Sequence, residues 1–356
     1  MNNNKVENIF SEVPTGKIAW QSPSNIALVK YWGKSGKQIP ANASISFTLS
    51  NSHTQTIIEY SPAETSNFSL EFYLEDEANE KFGEKISTFF KSLIDIFPFI
   101  NQLDFIIKSS NSFPHSAGIA SSASGMSALA LCLCDIERQY FNTDISDEEF
   151  YEKASFVARL GSGSACRSIY GGLVSWGEIN GGSNLFGSAV KDKIHPIYGL
   201  FHDSILIVDS GEKKVSSTIG HGLMNDNPFS EGRFKQAADN IESLLQIMET
   251  CSLEDFISIV ESEALTLHAM MMTSSPYYLL MKPNTIAIIE KVWEFRKEKG
   301  IPLCFTLDAG PNIHLLYPDV FVDDVKKFID KELLQLTSNN MVIHDKVGKG
   351  PVKLDI

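Results

Sequence analysis

The sequence predicts an α+β protein of two domains, and three observations lead there. The chain has 356 residues, more than a single hydrophobic core usually serves. Strand-like apolar runs and runs of helical periodicity alternate through both halves. Around residues 180–200 the composition turns rich in Gly, Asn and Ser (INGGSNLFGSAVKDK), and a fresh apolar strand, SILIVDS, follows. The expected division is a loosely attached polar arm over 1–16, one domain over 17–198 and a second over 199–356.

The elements follow in order. TQTIIEYS, SLEFYLE and LDFIIKSS read as strands. EKISTFFKSLIDIF sets Ile86, Phe89, Phe90, Leu93, Ile94 and Ile96 on the apolar face of a helix. A second helix is expected from near Ala120 to about Tyr140. A third lies in DISDEEFYEKASFVARL, with Ser146 as N-cap and acidic residues facing the positive end of the dipole. GGLVSWGEI is a strand. In the second half SEGRFKQAADNIESLLQIME, SLEDFISIVESEALTLHAMMM and PNTIAIIEKVWEFRKEKG are helical, the last stopped by Gly300. CFTLDAGPNIHLLY reads as strand, Gly-Pro turn, strand.

Charge narrows the partners. Lys and Arg total 30 against 44 Asp and Glu, a formal charge of -14. That balance argues against a nucleic-acid or anionic-membrane surface, so an anionic ligand must sit in a local pocket. No window approaches the roughly 20 apolar residues of a membrane span, and MNNNKVENIFSEVPTGK lacks the pattern of a signal peptide. The expected compartment is the reducing cytoplasm. Of five cysteines, Cys132 and Cys134 lie in the apolar run ALALCLCDI and read as core packing.

Four stretches have the residues for chemistry. FPHSAGIASSASG joins a strand to an apolar helix, and its small residues leave backbone N–H groups and the hydroxyls of Ser121, Ser122 and Ser124 open to a phosphate. A close-packed helix cap explains the same residues equally well, and the Walker lysine pattern is missing. SPSNIALVKYWGK offers the Tyr31 hydroxyl and the Lys34 ammonium to one anion. By itself it reads better as a strand with Trp32 in the core and solvated lysines. LGSGSACRSIYGG surrounds Arg167 with an anion nest at Gly161 to Ser164, and its planar fork suits a carboxylate or phosphate. Cys166, with no histidine nearby, reads as a buried inert thiol. In TLDAGPN, Asp308 precedes a Gly-Pro turn, where an aspartate usually makes local hydrogen bonds and serves as a base less often. The eight histidines show no metal-binding spacing; His115 and His268 are assigned no role.

In this order, NIALVKYWGK, GIASSASG, GSGSACRSIYGG and DAGPN resemble the GHMP family of small-molecule kinases, and within it the diphosphomevalonate decarboxylases. KKVSST, Lys213 to Thr218, is similar too. The resemblance runs from about Asn25 to Pro311. It implies an N-terminal mixed α/β domain, a ferredoxin-like C-terminal α+β domain, an active site in the cleft between them, and a homodimer. It also implies ATP as co-substrate, a magnesium ion, and mevalonate 5-diphosphate as the small-molecule substrate. Carried over residue by residue, Asp308 serves the C3 hydroxyl, while Arg167 holds the carboxylate and is oriented by Asn25. Tyr31, Lys34, Ser162, Gly163, Ser164, Ser216 and Ser217 grip the diphosphate. Gly118, Ala120, Ser121, Ser122, Ser124, Lys213 and Lys214 meet the nucleotide. The resemblance identifies no metal ligands.

Ala43, Ser50, His115 and the segment 272–285 depart from the family pattern. Two other readings compete: a related kinase that phosphorylates mevalonate or a phosphomevalonate and stops, and a non-catalytic binder of the same fold. Asp308 and Arg167 in decarboxylase-like motifs oppose the first. Lys34, Ser121, Arg167 and Asp308 together oppose the second.

Overall fold

Two sheets organise the chain, one in each half, and the cleft lies where they meet. The computed structural model describes residues 15–63, 67–114, 119–179, 181–190, 193–211 and 217–356. Among the described residues the first sheet has eight strands. Its centre is β1 (Gly16–Val29) against β4 (Ser44–Pro62), antiparallel, with β7 (Leu103–Asn111) beyond β4. A small hairpin, β2 (Lys34–Ser35) with β3 (Ile39–Pro40), separates β1 from β4. β5 (Leu70–Leu74) adds parallel to β7, and β6 (Glu77–Ala78) closes that edge. β8 (Leu173–Trp176) pairs with the start of β4 and with β9 (Gly187–Ala189).

Burial along β4 explains its two ends. From Ser52 to Tyr60 buried residues alternate with more accessible ones, as on a sheet covered on one face. From Ser44 to Leu49 every residue is buried, because this end meets the second half of the chain. Three helices cover the first sheet: α1 (Glu80–Ser92), α2 (Ser121–Tyr140) and α3 (Asp147–Gly161). α2 is buried without a break from Ser127 to Ile136, so it is a central helix, and Cys132 and Cys134 are core residues there. α1 starts earlier than its periodicity suggests, because Asn79 caps it by accepting from the Phe82 N–H. It ends at Ser92, leaving Ile94 and Ile96 in the turn that follows.

The second half builds a four-stranded antiparallel sheet in the order β11, β12, β10, β13. These are β10 (Phe201–Leu206), β11 (Cys304–Thr306), β12 (Ile313–Pro318) and β13 (Val342–Lys346). Its helices are α4 (Ser217–Gly222), α5 (Ser230–Thr250), α6 (Leu253–Met272), α7 (Pro283–Lys299) and α8 (Val322–Phe328). α7 stops at Gly300, whose φ of 65° is the left-handed conformation glycine adopts without strain. A last strand, β14 (Val352–Lys353), returns to pair with β1. Of the expected arm, residues 1–14 fall outside the described residues, and Gly16 already belongs to β1. The architecture is the expected two-domain α+β fold. Among the described residues no helix is long and apolar enough to cross a membrane.

Candidate active site

The cleft opens where β1 runs out, and both halves of the chain line it. Lys30, Tyr31, Trp32 and Lys34 follow the strand, while Ser162, Gly163, Ser164 and Arg167 come from the turn after α3. His221 in α4, Leu267 in α6, and Asp308 and Ala309 after β11 face them from the second half, around a cavity of about 220 Å³.

Arg167 is fixed before any ligand arrives. Its Nε donates to Ser46 Oγ at 3.0 Å, Nη1 to Ser44 Oγ at 2.5 Å and Nη2 to Asn25 Oδ1 at 3.3 Å. Asn25 is itself oriented, donating through Nδ2 to Ser168 Oγ at 2.8 Å and to the Ser164 carbonyl at 3.2 Å. A guanidinium has five N–H donors. Three are spent on these partners, which leaves two, the number a carboxylate accepts side by side. The cation is 2 % exposed, and burial lowers its pKa, although Asp308 opposes that shift. The pocket is built to receive an anion.

Lys30 overturns the solvated-lysine reading of SPSNIALVKYWGK. It is 1 % exposed, and its ammonium meets Asp308 Oδ1 at 3.0 Å, across the cleft between the halves. Burial lowers its pKa, while Asp308 and Glu263 raise it and Arg167 lowers it further. Asp308 keeps nearly a third of its side chain exposed to the cleft. Its carbonyl accepts from His268 Nε2 at 3.1 Å. The His268 ring is pushed down to about 4 by burial, so it is neutral at physiological pH.

The aromatic wall is layered. His221 lies between Tyr31 and Trp32, with ring centroids 4.3 and 4.5 Å away, and its Nδ1 accepts from the Gly33 N–H at 3.0 Å. Burial pushes its pKa down to about 3, so the ring stays neutral. The Tyr31 hydroxyl is buried with no hydrogen-bond partner among the described residues, a state proteins seldom leave unexplained. Gly163 is glycine for lack of room: a Cβ there would stand 2.9 Å from both the Tyr31 hydroxyl and the Trp176 ring. Lys34 reaches Gln38 Oε1 at 3.0 Å.

At the far end, α2 presents its N-terminus. Its N-cap is Ala120, in the left-handed region at φ 44°, and no side chain among the described residues caps the first turn. Ser122 lines the cavity and receives a hydrogen bond from Ser162 Oγ at 3.4 Å. Ser121 stands beside it at the helix start. Ser124 does not face the cleft: it is fully buried, with Oγ 2.6 Å from Thr54 Oγ1 in β4. Gly118, Lys213, Lys214 and Ser216 lie outside the described residues, as does the side chain of Ser217. Among the described residues no group of three or more His, Cys, Asp or Glu gathers to hold a metal ion.

Residues 22–186 match the family model of the diphosphomevalonate decarboxylase-like N-terminal domain, and residues 204–353 match that of the mevalonate 5-diphosphate decarboxylase C-terminal domain. The chain belongs to the diphosphomevalonate decarboxylase family. Curated relatives agree. The diphosphomevalonate decarboxylase of Schizosaccharomyces pombe is 29% identical over 358 residues, covering 94% of this chain and 86% of that one. That of Ganoderma lucidum is 29% identical over 332 residues, covering 87% and 80%. The solved mevalonate diphosphate decarboxylase of Staphylococcus aureus superposes with a TM-score of 0.83 at 27% identity, covering 96% of this chain and 98% of that one. A second solved protein, described as MDDEF in complex with MVAPP, AMPPCP and magnesium, gives 0.81 at 25% identity, covering 96% and 100%.

In this member of the diphosphomevalonate decarboxylase family, motif reading found Asn25, Tyr31, Lys34, Ser162, Gly163, Ser164, Arg167 and Asp308, which the fold gathers in one region. It missed Lys30, His221 and the serines that hold Arg167. For Lys30 a signal existed, because a lysine inside the unbroken apolar run IALVKYW has no easy route to solvent. One departure from the family pattern acquires a structural role: the Ala43 side chain packs where a Cβ at Gly177 would stand, 2.5 Å away. At Ser50 it is the backbone N–H, which any residue there but proline would supply, that donates to Asp345 Oδ1 at 2.9 Å. His115 lies outside the described residues.

Proposed function

We propose that the chain catalyses the ATP-dependent decarboxylation of mevalonate 5-diphosphate to isopentenyl diphosphate, releasing ADP, phosphate and CO2. The observation that carries this reading is Arg167, with two N–H donors left over from its partners among the described residues, in the same cavity as the Lys30–Asp308 pair.

The chemistry follows from the residues. A tertiary alcohol leaves poorly, and transfer of the γ-phosphoryl of ATP to the C3 oxygen makes it a good leaving group. Such transfer depends mainly on positioning and charge neutralisation. Asp308 accepts a hydrogen bond from the C3 hydroxyl, orients it, takes its proton as the phosphoryl group is transferred and passes that proton to solvent, with the Lys30 ammonium alongside favouring the carboxylate that is regenerated. Phosphate then departs with the C3–O electron pair, and the Asp308 carboxylate stabilises positive charge developing at C3. Arg167 holds the C1 carboxylate so that the C1–C2 bond aligns with the emptying orbital. Its electrons become the C2–C3 double bond, and CO2 is released.

Tyr31, Lys34, Ser162, Gly163, Ser164, Ser216 and Ser217 take the diphosphate; the Tyr31 hydroxyl then gains a partner. Ala120, Ser121 and Ser122, at a helix start whose N–H groups favour an anion, take the nucleotide phosphates, and the family resemblance adds Gly118, Lys213 and Lys214 to that set. Ser124 supports that turn from within the core. A magnesium ion takes oxygen ligands and keeps several waters, and the hydroxyl-rich end at Ser121 and Ser122 fits one carried mainly by phosphate oxygens. When bound it neutralises phosphate charge. We place the protein in the cytoplasm as a homodimer of two-domain subunits divided near residue 198, acting on a small molecule and on neither nucleic acid nor membrane.

The test is an assay with ATP, magnesium and mevalonate 5-diphosphate that follows ADP and CO2 together. Equal release of both is the expected result. ADP without CO2 identifies a kinase that leaves the phosphorylated alcohol intact, and silence in both refutes the reading.

A further inference from the structure

Lys30 is gripped twice by the second half of the chain, and only one grip is its ion pair with Asp308. The ladder between β1 and β4 ends at Val29. The Lys30 N–H donates instead to Glu263 Oε2 at 2.8 Å. Its carbonyl accepts from Arg233 Nη2 at 3.2 Å and from Asn42 Nδ2 at 2.9 Å. Arg233 in α5 and Glu263 in α6 have side chains with no exposed surface. They bond each other through both arms, Nη1 to Oε1 at 2.9 Å and Nη2 to Oε2 at 2.5 Å. Asn240, farther along α5, donates to Glu263 Oε1 at 2.7 Å.

A buried ion pair is a poor way to join two helices, since well-packed apolar residues of the same volume hold them as well or better. What apolar residues cannot do is present an acceptor and a donor at fixed spacing to the N–H and C=O of one residue. This pair does so for the residue whose side chain enters the cleft. We propose that Arg233 and Glu263 are positioning residues, a bidentate clamp that fixes the Lys30 backbone so that its ammonium meets Asp308 at the reacting centre. The clamp's catalytic consequence rests on the decarboxylase reading; its geometry does not.

Charge acts in the same direction. The groups facing Lys30 are Asp308, Glu263, Arg233, Arg167 and the neutral His268, with Asp203 and Cys304 farther into the second sheet. Glu263 favours the protonated amine. Glu263→Gln removes that charge and leaves Arg233 uncompensated, so Lys30 loses its proton at lower pH and the alkaline limb of kcat moves down.

The experiment compares wild type, Glu263→Gln and the apolar double variant Arg233→Met/Glu263→Leu for melting temperature, kcat, KM and the pH profile. The double variant leaves the buried Lys30 N–H without its Glu263 acceptor and should melt below wild type, with kcat reduced about 100-fold, as for a reacting group displaced by about 1 Å, and little change in KM for mevalonate 5-diphosphate. A double variant with wild-type melting, kcat and alkaline limb overturns the clamp. If these variants do not fold, Asn240→Leu removes one support of Glu263 and keeps the ion pair; kcat should fall with KM unchanged, and an unchanged kcat overturns the proposal. Should wild type turn over no mevalonate 5-diphosphate, the functional reading fails separately. The clamp is then read without substrate, from a nitrogen NMR titration of the Lys30 ammonium. A midpoint unmoved by Glu263→Gln overturns it.

Discussion

The two ends of the cleft meet their hydrogen-bonding needs in opposite ways. At one end, Arg167 has Ser44, Ser46 and Asn25 in place, and Lys30 already pairs with Asp308. At the other end, α2 starts at an alanine in the left-handed region with no side-chain cap among the described residues. Its neighbour α3 shows that an open start is not general in this chain, since Ser146 and Glu149 close that helix with a reciprocal capping box. The difference teaches where rigidity is needed. On the proposed reaction, charge aimed at a reacting carbon is held in advance, whereas the amides at the start of α2 would receive phosphates that bring their own geometry.

That contrast can be broken at three points. The largest effect belongs to Asp308→Asn, which keeps the shape and removes the charge. Turnover should fall about 10²- to 10⁴-fold, the range of a lost acid–base group, while calorimetry should find substrate binding largely spared. Near-normal activity would sink the mechanism. Arg167→Lys comes next. One ammonium cannot satisfy Ser44, Ser46 and Asn25 and also hold a carboxylate with two bonds. We expect kcat to drop about 100-fold through lost orientation, and a steady-state comparison showing KM alone affected would contradict this.

The smallest effect sharpens the comparison between the helix starts. Ser122→Ala should raise the KM for ATP several-fold, with the loss of about 1 kcal/mol expected for one hydrogen bond, and leave thermal stability alone. Ser146→Ala should do the reverse, costing about 1 kcal/mol of stability while leaving turnover unchanged. If Ser122→Ala melts lower and binds ATP normally, α2 needs that hydroxyl as a cap and the contrast fails.

Much of the fold was legible because it depends on neighbours in sequence. The Ser146 cap, the Gly300 stop, the burial of Cys132 and Cys134 and the strand-turn-strand around Asp308 all follow from local periodicity and backbone preference. The Arg167 and Asp308 motifs were legible for the same reason, as short segments with distinctive residues. Tertiary structure decided which groups face the cleft and which face the core. Ser124 shares its motif with Ser122, yet two residues along the helix, about 200° of rotation, turn it onto Thr54. Lys30 interrupts an apolar run, which hints at burial, yet the acceptors of its ammonium and its N–H come from the second half of the chain, and the Glu263 that takes its N–H lies 233 positions away. A residue's periodicity is set by its own backbone, but the desolvation and charge that give a lysine its chemistry come from whatever the fold packs around it.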